Sequence, residues 1–255
     1  MRKLLIILLL AVIAVAVWCF RYELLFRFQY ARLAGLSCQQ SDFQNDSCLN
    51  KLWAHRVNSI ERYRLLEGKF AGLETDVTWD GEQKRFLVYH PPLEGRPVLL
   101  DSFMQTADTE KNMMWWDTRE VTSADTAVIL RSLNQLDRKH QLKMNVVLEV
   151  YDTAVANFLA DHGYWVAQNI RTEWLQKYTR EVQWDQLRRS ISPRVSFISQ
   201  EDRYVPMLKE HFPGRDIITW AIAFKNYFNR EHLGSLVQDP QVKIVLVNVK
   251  SRYYR

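Results

Sequence analysis

Apolar residues in this chain follow two alternating rhythms. From Leu52 onward, short apolar runs of strand length occur at 52–57, 73–77, 113–117, 145–150, 164–168, 194–198, 217–222 and 242–247. Longer stretches at 124–140, 153–162, 173–190 and 224–237 space their apolar residues as amphipathic helices do. Gly163, after Asp161-His162, has the position of a helix C-cap before the fifth run. Eight strands joined by helical crossovers predict an α/β chain closed as a (β/α)8 TIM-type barrel over 52–255 rather than an open sheet. The stretch 92–109 is too short for a full crossover helix and predicts only a turn of helix.

The pattern before Leu52 is different. Met1-Arg2-Lys3 is basic, and residues 4–20 carry no charge, a length at the lower end of the roughly 17–25 residues that cross a bilayer. Ala14-Val15-Ala16 fits a signal-peptidase site, but the apolar run continues through Val17, Trp18, Cys19 and Phe20. Residues 1–22 are therefore read as an N-terminal transmembrane helix that is retained, with a cleaved signal as the alternative. Residues 23–51 form a juxtamembrane segment. Its first part is rich in Phe, Leu, Tyr and Arg, and fits either a helix along the lipid surface or one packed on the barrel. Its second part places Cys38 and Cys48 in a polar loop, as a disulfide in an oxidising compartment or as two free thiols. The basic N-terminus and the cysteine pair together predict a single-pass inner-membrane protein with its barrel on the periplasmic or extracytoplasmic side.

Composition narrows this little. With 47% hydrophobic residues among 255, a sizeable core is available. The net charge of +5, from 34 basic against 29 acidic residues, suits an anionic substrate or lipid surface and is no nucleic-acid footprint.

Candidate chemistry collects where a barrel places its active residues, at the C-terminal ends of strands. The first run ends in His55 and Arg56. In the second, Glu74 and Asp76 share one face. Asp80-Gly81 reads as a tight turn leading to a further extended piece, 86–89, which ends at His90 before Pro91-Pro92. Proline pushes its predecessor out of the helical region, so His90 begins a stiff extended loop. The third run delivers Asp117 and Arg119, and the fourth offers Glu149 and Asp152. Read singly, His55 is a hydrogen-bonded structural histidine and Asp117 with Arg119 an ion pair. Read together, three carboxylates suit a hard cation, Mg²⁺ or Ca²⁺, and two arginines suit the phosphate it would hold.

The order His-Arg, then Glu-x-Asp, then His, then Asp-x-Arg resembles the glycerophosphodiester phosphodiesterase-like superfamily, which includes the spider-venom phospholipase D type enzymes. Asn58-Ser59 and His90-Pro91-Pro92 resemble the menorin family within it. The resemblance runs from about Leu52 to Glu120. It implies His55 and His90 as an acid–base pair, Glu74, Asp76 and Asp117 as metal ligands, and Arg119 as a basic residue near the substrate phosphate, beside the Arg56 that the residues themselves offer there. It implies a metal-dependent phosphodiesterase acting on a glycerol- or lipid-derived phosphodiester, or a barrel that binds a ligand or partner through the same residues without turnover. The sequence departs from the pattern at Val57, where Gly is common, at Arg119, where Lys is usual, and in lacking a Pro-Glu-Asn-Thr segment.

Overall fold

A computed structural model describes residues 2–34, 48–90, 96–107, 112–177, 181–221 and 230–250. Eight parallel strands close into a barrel. They are β1 (Leu52–Ala54), β2 (Gly72–Asp80), β5 (Met113–Arg119), β6 (Val146–Val150), β7 (Trp165–Asn169), β8 (Phe197–Glu201), β9 (Ile217–Ala221) and β10 (Val242–Val247). Each pairs with the next, and β1 closes the ring by pairing with both β10 and β2. The TIM barrel expected from the pattern is the observed fold.

Side chains alternate between two apolar clusters, as the period of a strand requires. Leu52, Leu73, Met114, Val146 and Val166 face outward to the helices. Trp53, Trp115, Val147, Ala167, Ile218, Ile244 and Leu246 fill the barrel interior. Gly72 is required where β2 passes Trp53: a Cβ there would lie 2.2 Å from the indole ring.

The crossovers are short helices, including α2 (Ile60–Leu66), α4 (Thr126–His140), α5 (Leu142–Asn145) and α6 (Thr153–Asp161). Ser59 caps α2 through its side chain, and Asp152 caps α6 by accepting from the amides of Ala154 and Val155. Gly163 ends α6 at φ 82°, with its N–H bonded to the Ala160 carbonyl, as its place in the sequence predicts. The helix expected at 173–190 is described as two pieces, Thr172–Lys177 and Glu181–Ser190. The stretch 92–109 carries a two-residue strand, β4 (Val98–Leu99), and a five-residue helix, α3 (Leu100–Met104).

One feature departs from a plain barrel. β1 ends at Ala54, so the edge of β2 beyond Leu73 lacks a parallel partner on that side. β3 (Arg85–Val88) takes that place, pairing antiparallel with residues 77–80 of β2. The connection spans Gly81–Lys84, with Asp80 accepting from the Glu82 and Gln83 amides. The strand thus outlasts the expected 73–77 and forms a hairpin over the barrel's mouth.

The N-terminal helix α1 (Arg2–Ala34) precedes the barrel. Among the described residues no single helix is long and apolar enough to cross a membrane. One bent pair, Leu9–Trp18 and Phe20–Leu33, meeting at 61°, passes by length and composition together. Cys38, one half of the expected Cys38–Cys48 pairing, and the Pro91-Pro92 motif lie outside the described residues.

Candidate functional site

The register of the parallel strands sets the site. Asp76 on β2 lies beside Asp117 on β5, and Asp117 beside Glu149 on β6. Glu74 faces inward two residues below Asp76. One oxygen from each of Glu74, Asp76 and Asp117 falls within 4.8 Å of the others. The three acids proposed from sequence as ligands therefore converge.

Around them the chain is tightly specified. Arg56 adopts a left-handed backbone, φ 59°, a costly conformation for a non-glycine residue. That turn aims its amide N–H at Glu74 Oε2, 2.6 Å away. Asn58 makes two bonds to Asp76: its Nδ2 donates to Oδ2 (2.6 Å) and its Oδ1 accepts the Asp76 amide (2.9 Å). Arg119 donates to Asp117 Oδ2 at 2.6 Å and to Asp76 Oδ1 at 3.3 Å. Tyr151 donates its hydroxyl to Asp117 Oδ1.

The two histidines approach this group from β1 and from the hairpin. His55 follows β1, and its Nδ1–H donates to Asn248 Oδ1 at 2.6 Å. That bond turns Nε2 inward, 3.6 Å from Glu74 Oε2. The His55 carbonyl accepts from the buried Arg62 on α2, which also donates to the Val249 carbonyl. His90 follows β3. The Tyr89 amide donates to the Asp76 carbonyl and Thr78 Oγ1 to the Tyr89 carbonyl, so the ring is carried beside Asp76 with Nε2 3.8 Å from Oδ1. His90 Nδ1 and Arg119 Nε are buried and have no hydrogen-bond partner among the described residues.

Burial decides the charge states. Desolvation, then the like charges of Asp76 and Asp117, push the Glu74 carboxyl well above its usual range. Burial lifts Asp117 to about 6 despite Arg119 beside it. His55 is lowered to about 4, chiefly by burial, so its imidazole is neutral near pH 7. Glu149 is raised to about 8, chiefly by burial and then by Asp117. Three clustered carboxyls that can ionise together only at a cost are what a hard divalent cation relieves, and an all-oxygen donor set suits Mg²⁺ or Ca²⁺. The residues fit such an ion.

Residues that the sequence did not single out complete the cavity of about 160 Å³, among them Trp115, Tyr151, Asn169, Trp220 and Leu246. Glu149, noted from its strand end, does not join the three acids. It accepts from Trp115 Nε1 (2.8 Å), Asn169 Nδ2 (2.6 Å) and Ser199 Oγ (2.5 Å) as a buried hub. Asp152 caps α6 instead of facing the site. Tyr151 is two residues past Glu149 on the same face, a signal strand periodicity supplies. Asn248 has no comparable signal, since it lies 193 residues from His55.

No protein-family model and no curated protein sequence matches the chain. Solved structures do. A candidate glycerophosphoryl diester phosphodiesterase from Silicibacter pomeroyi superposes with TM-score 0.57 at 10% identity, over 84% of this chain and 93% of that one. The glycerophosphodiester phosphodiesterase of Thermotoga maritima gives 0.52 at 13%, over 80% and 96%. A phosphodiesterase of Oleispira antarctica, in complex with the product sn-glycerol-3-phosphate, gives 0.52 at 9%, over 76% and 92%. At these identities the likeness is one of fold: the chain has the same closed (β/α)8 barrel as these structures.

Proposed function

We propose that this chain is a membrane-anchored, divalent-cation-dependent phosphodiesterase acting on a glycerol- or lipid-derived phosphodiester. The observation that carries this is the convergence of Glu74, Asp76 and Asp117 at the barrel mouth, with His55 and His90 on neighbouring edges of the same cavity. The solved structure holding sn-glycerol-3-phosphate on the same fold supports that substrate class.

Glu74, Asp76 and Asp117 would hold the cation, which when bound neutralises the phosphate's non-bridging oxygens. Arg56 and Arg119 line the same cavity and add positive charge toward those oxygens. His55, neutral and held through Nδ1 by Asn248, offers the Nε2 lone pair as nucleophile or base. His90, across Asp76, would protonate the leaving oxygen. Its unpartnered Nδ1 is a donor or acceptor that a bound substrate group can complete. The apolar stretch before residue 20 anchors the chain, with the barrel outside the cytoplasm and Cys38 joined to Cys48.

A second reading follows from one contact. Arg119 already pairs with Asp117 and Asp76, so the acids have an internal counter-ion, as a non-catalytic barrel that binds a ligand or partner would need. Turnover of glycerophosphodiesters and lysophospholipids with Mg²⁺ separates the two. Loss of one acid–base group typically costs about 10²–10⁴-fold in rate. His55→Ala and His90→Ala should each lose at least that much while retaining metal. No turnover by the wild type across the panel, or full rate in either variant, overturns the proposal.

A further inference from the structure

The second limb of α1 has two faces. Phe26, Gln29 and Leu33, at 5%, 5% and 4% exposure, recur at helical spacing and pack against the barrel. Tyr30 meets Phe70 edge-on, and Gln29 Oε1 accepts the Lys250 amide at 2.8 Å. Opposite them, Phe20, Leu24 and Phe28 recur at i, i+4 and i+8 and stand 62%, 55% and 53% exposed. A stripe docked on the barrel accounts for the first face and leaves the second bare.

We propose that this second face lies on a lipid bilayer with anionic headgroups, so that residues 20–33 are an in-plane interfacial helix welded to the barrel. The inference rests on the membrane part of the reading above. Three observations on the helix favour lipid over another protein. The bare stripe continues directly from an apolar limb whose Ile6, Leu10, Ile13 and Val17 are equally exposed. The two limbs meet at 61°, so the second leaves the direction of the first, as a helix turning to lie along a lipid surface would. The junction holds Trp18 and Tyr22 with the Arg21 guanidinium 3.7 Å and 4.6 Å from their ring centres, the aromatic–cation composition of a headgroup layer. Arg21, Arg27 and Arg32 against the single acid Glu23 leave the limb cationic, which suits phosphatidylglycerol or another anionic lipid.

The consequence is a fixed attitude of the active site to the membrane. Gln29 holds Lys250; its neighbour Val249 is bonded to Arg62, which is bonded to His55. The barrel is thus registered against the lipid surface through the same short segment that orients His55, and does not swing on a free linker.

The test uses the full-length chain reconstituted in vesicles of phosphatidylcholine and phosphatidylglycerol. Photo-crosslinking side chains are introduced singly as Leu24→p-benzoylphenylalanine and Phe28→p-benzoylphenylalanine, exposed positions whose exchange leaves the barrel contacts intact. Glu82→p-benzoylphenylalanine on the hairpin turn is the aqueous control. After irradiation, mass spectrometry should find lipid adducts at 24 and 28 well above those at 82. Adducts to a second copy of the chain, or lipid yields at 24 and 28 equal to that at 82, overturn the proposal. The adduct forms without turnover, so this result and the phosphodiesterase assay fail independently.

Discussion

The three-acid cluster makes a quantitative demand on stability. Two unit charges 4.8 Å apart, the largest separation among the three oxygens, repel by about 3.5 kcal/mol at an effective dielectric constant near 20. Three such pairs total about 10 kcal/mol, comparable to the whole stability of a fold, so the metal-free cluster holds protons to higher pH than free carboxyls do, in line with the raised Glu74 and Asp117. A divalent cation at about 100 times its Kd adds about 2.7 kcal/mol to stability. For a domain of this size that is a rise in Tm of about 5–10 °C. Asp76→Asn removes one charge from the cluster, losing both its repulsion of the other acids and its attraction to Arg119, while its amide keeps an acceptor for Asn58. Its Tm should no longer be moved by Mg²⁺ or Ca²⁺. Calorimetric titration near pH 7 in buffers of different ionisation enthalpy should also register proton release on binding to the wild type. A wild-type Tm unmoved by millimolar Mg²⁺, Ca²⁺ or Mn²⁺, or an equal shift in Asp76→Asn, refutes the reasoning.

Three further outcomes follow from the geometry. Gly72→Ala drives a methyl into the Trp53 ring and should cost about 2–3 kcal/mol, read as a lowered urea midpoint. Arg62→Met leaves the His55 and Val249 carbonyls without their donor; it should cost about 3 kcal/mol and lower kcat more than it raises KM, read by denaturation and steady-state kinetics. Glu149 carries its proton to about pH 8 when folded but ionises near 4.5 when unfolded, so its contribution to stability is full below 4.5 and is lost as pH rises toward 8. Glu149→Gln, whose carbonyl can still accept from Trp115, should reduce the fall in stability between pH 5 and pH 8, measured as urea midpoints in chelator.

The sequence by itself determined the barrel, because eight strand-length apolar runs with helical crossovers have few ways to bury both faces of a parallel sheet. It also placed Glu74, Asp76 and Asp117 in one cluster. Period-two alternation gives their common face, and the ends of consecutive parallel strands are neighbours. It read strand ends less well wherever the barrel interior turns polar. The sixth apolar run stops at Ile198, yet β8 continues through Ser199 and Gln200, polar residues that are buried because Glu149 accepts from the Ser199 hydroxyl and the Ile170 carbonyl accepts from the Gln200 side-chain amide. Only the tertiary structure decided which partners set the charge and aim of the site. Asn248 meets His55 across the closure of the barrel, and Ser199 meets Glu149 from two strands away. The short β1 lets β3 replace it along β2 and bring His90 back over Asp76. For α1, composition offered a lipid-lying helix or a barrel-packed one, and the structure places its Phe26–Leu33 stripe on the barrel while leaving Phe20, Leu24 and Phe28 outside. Periodicity fixes the face a residue takes on its own element, but which element arrives opposite is set by ring closure and packing across the whole chain, where sequence separation carries no signal.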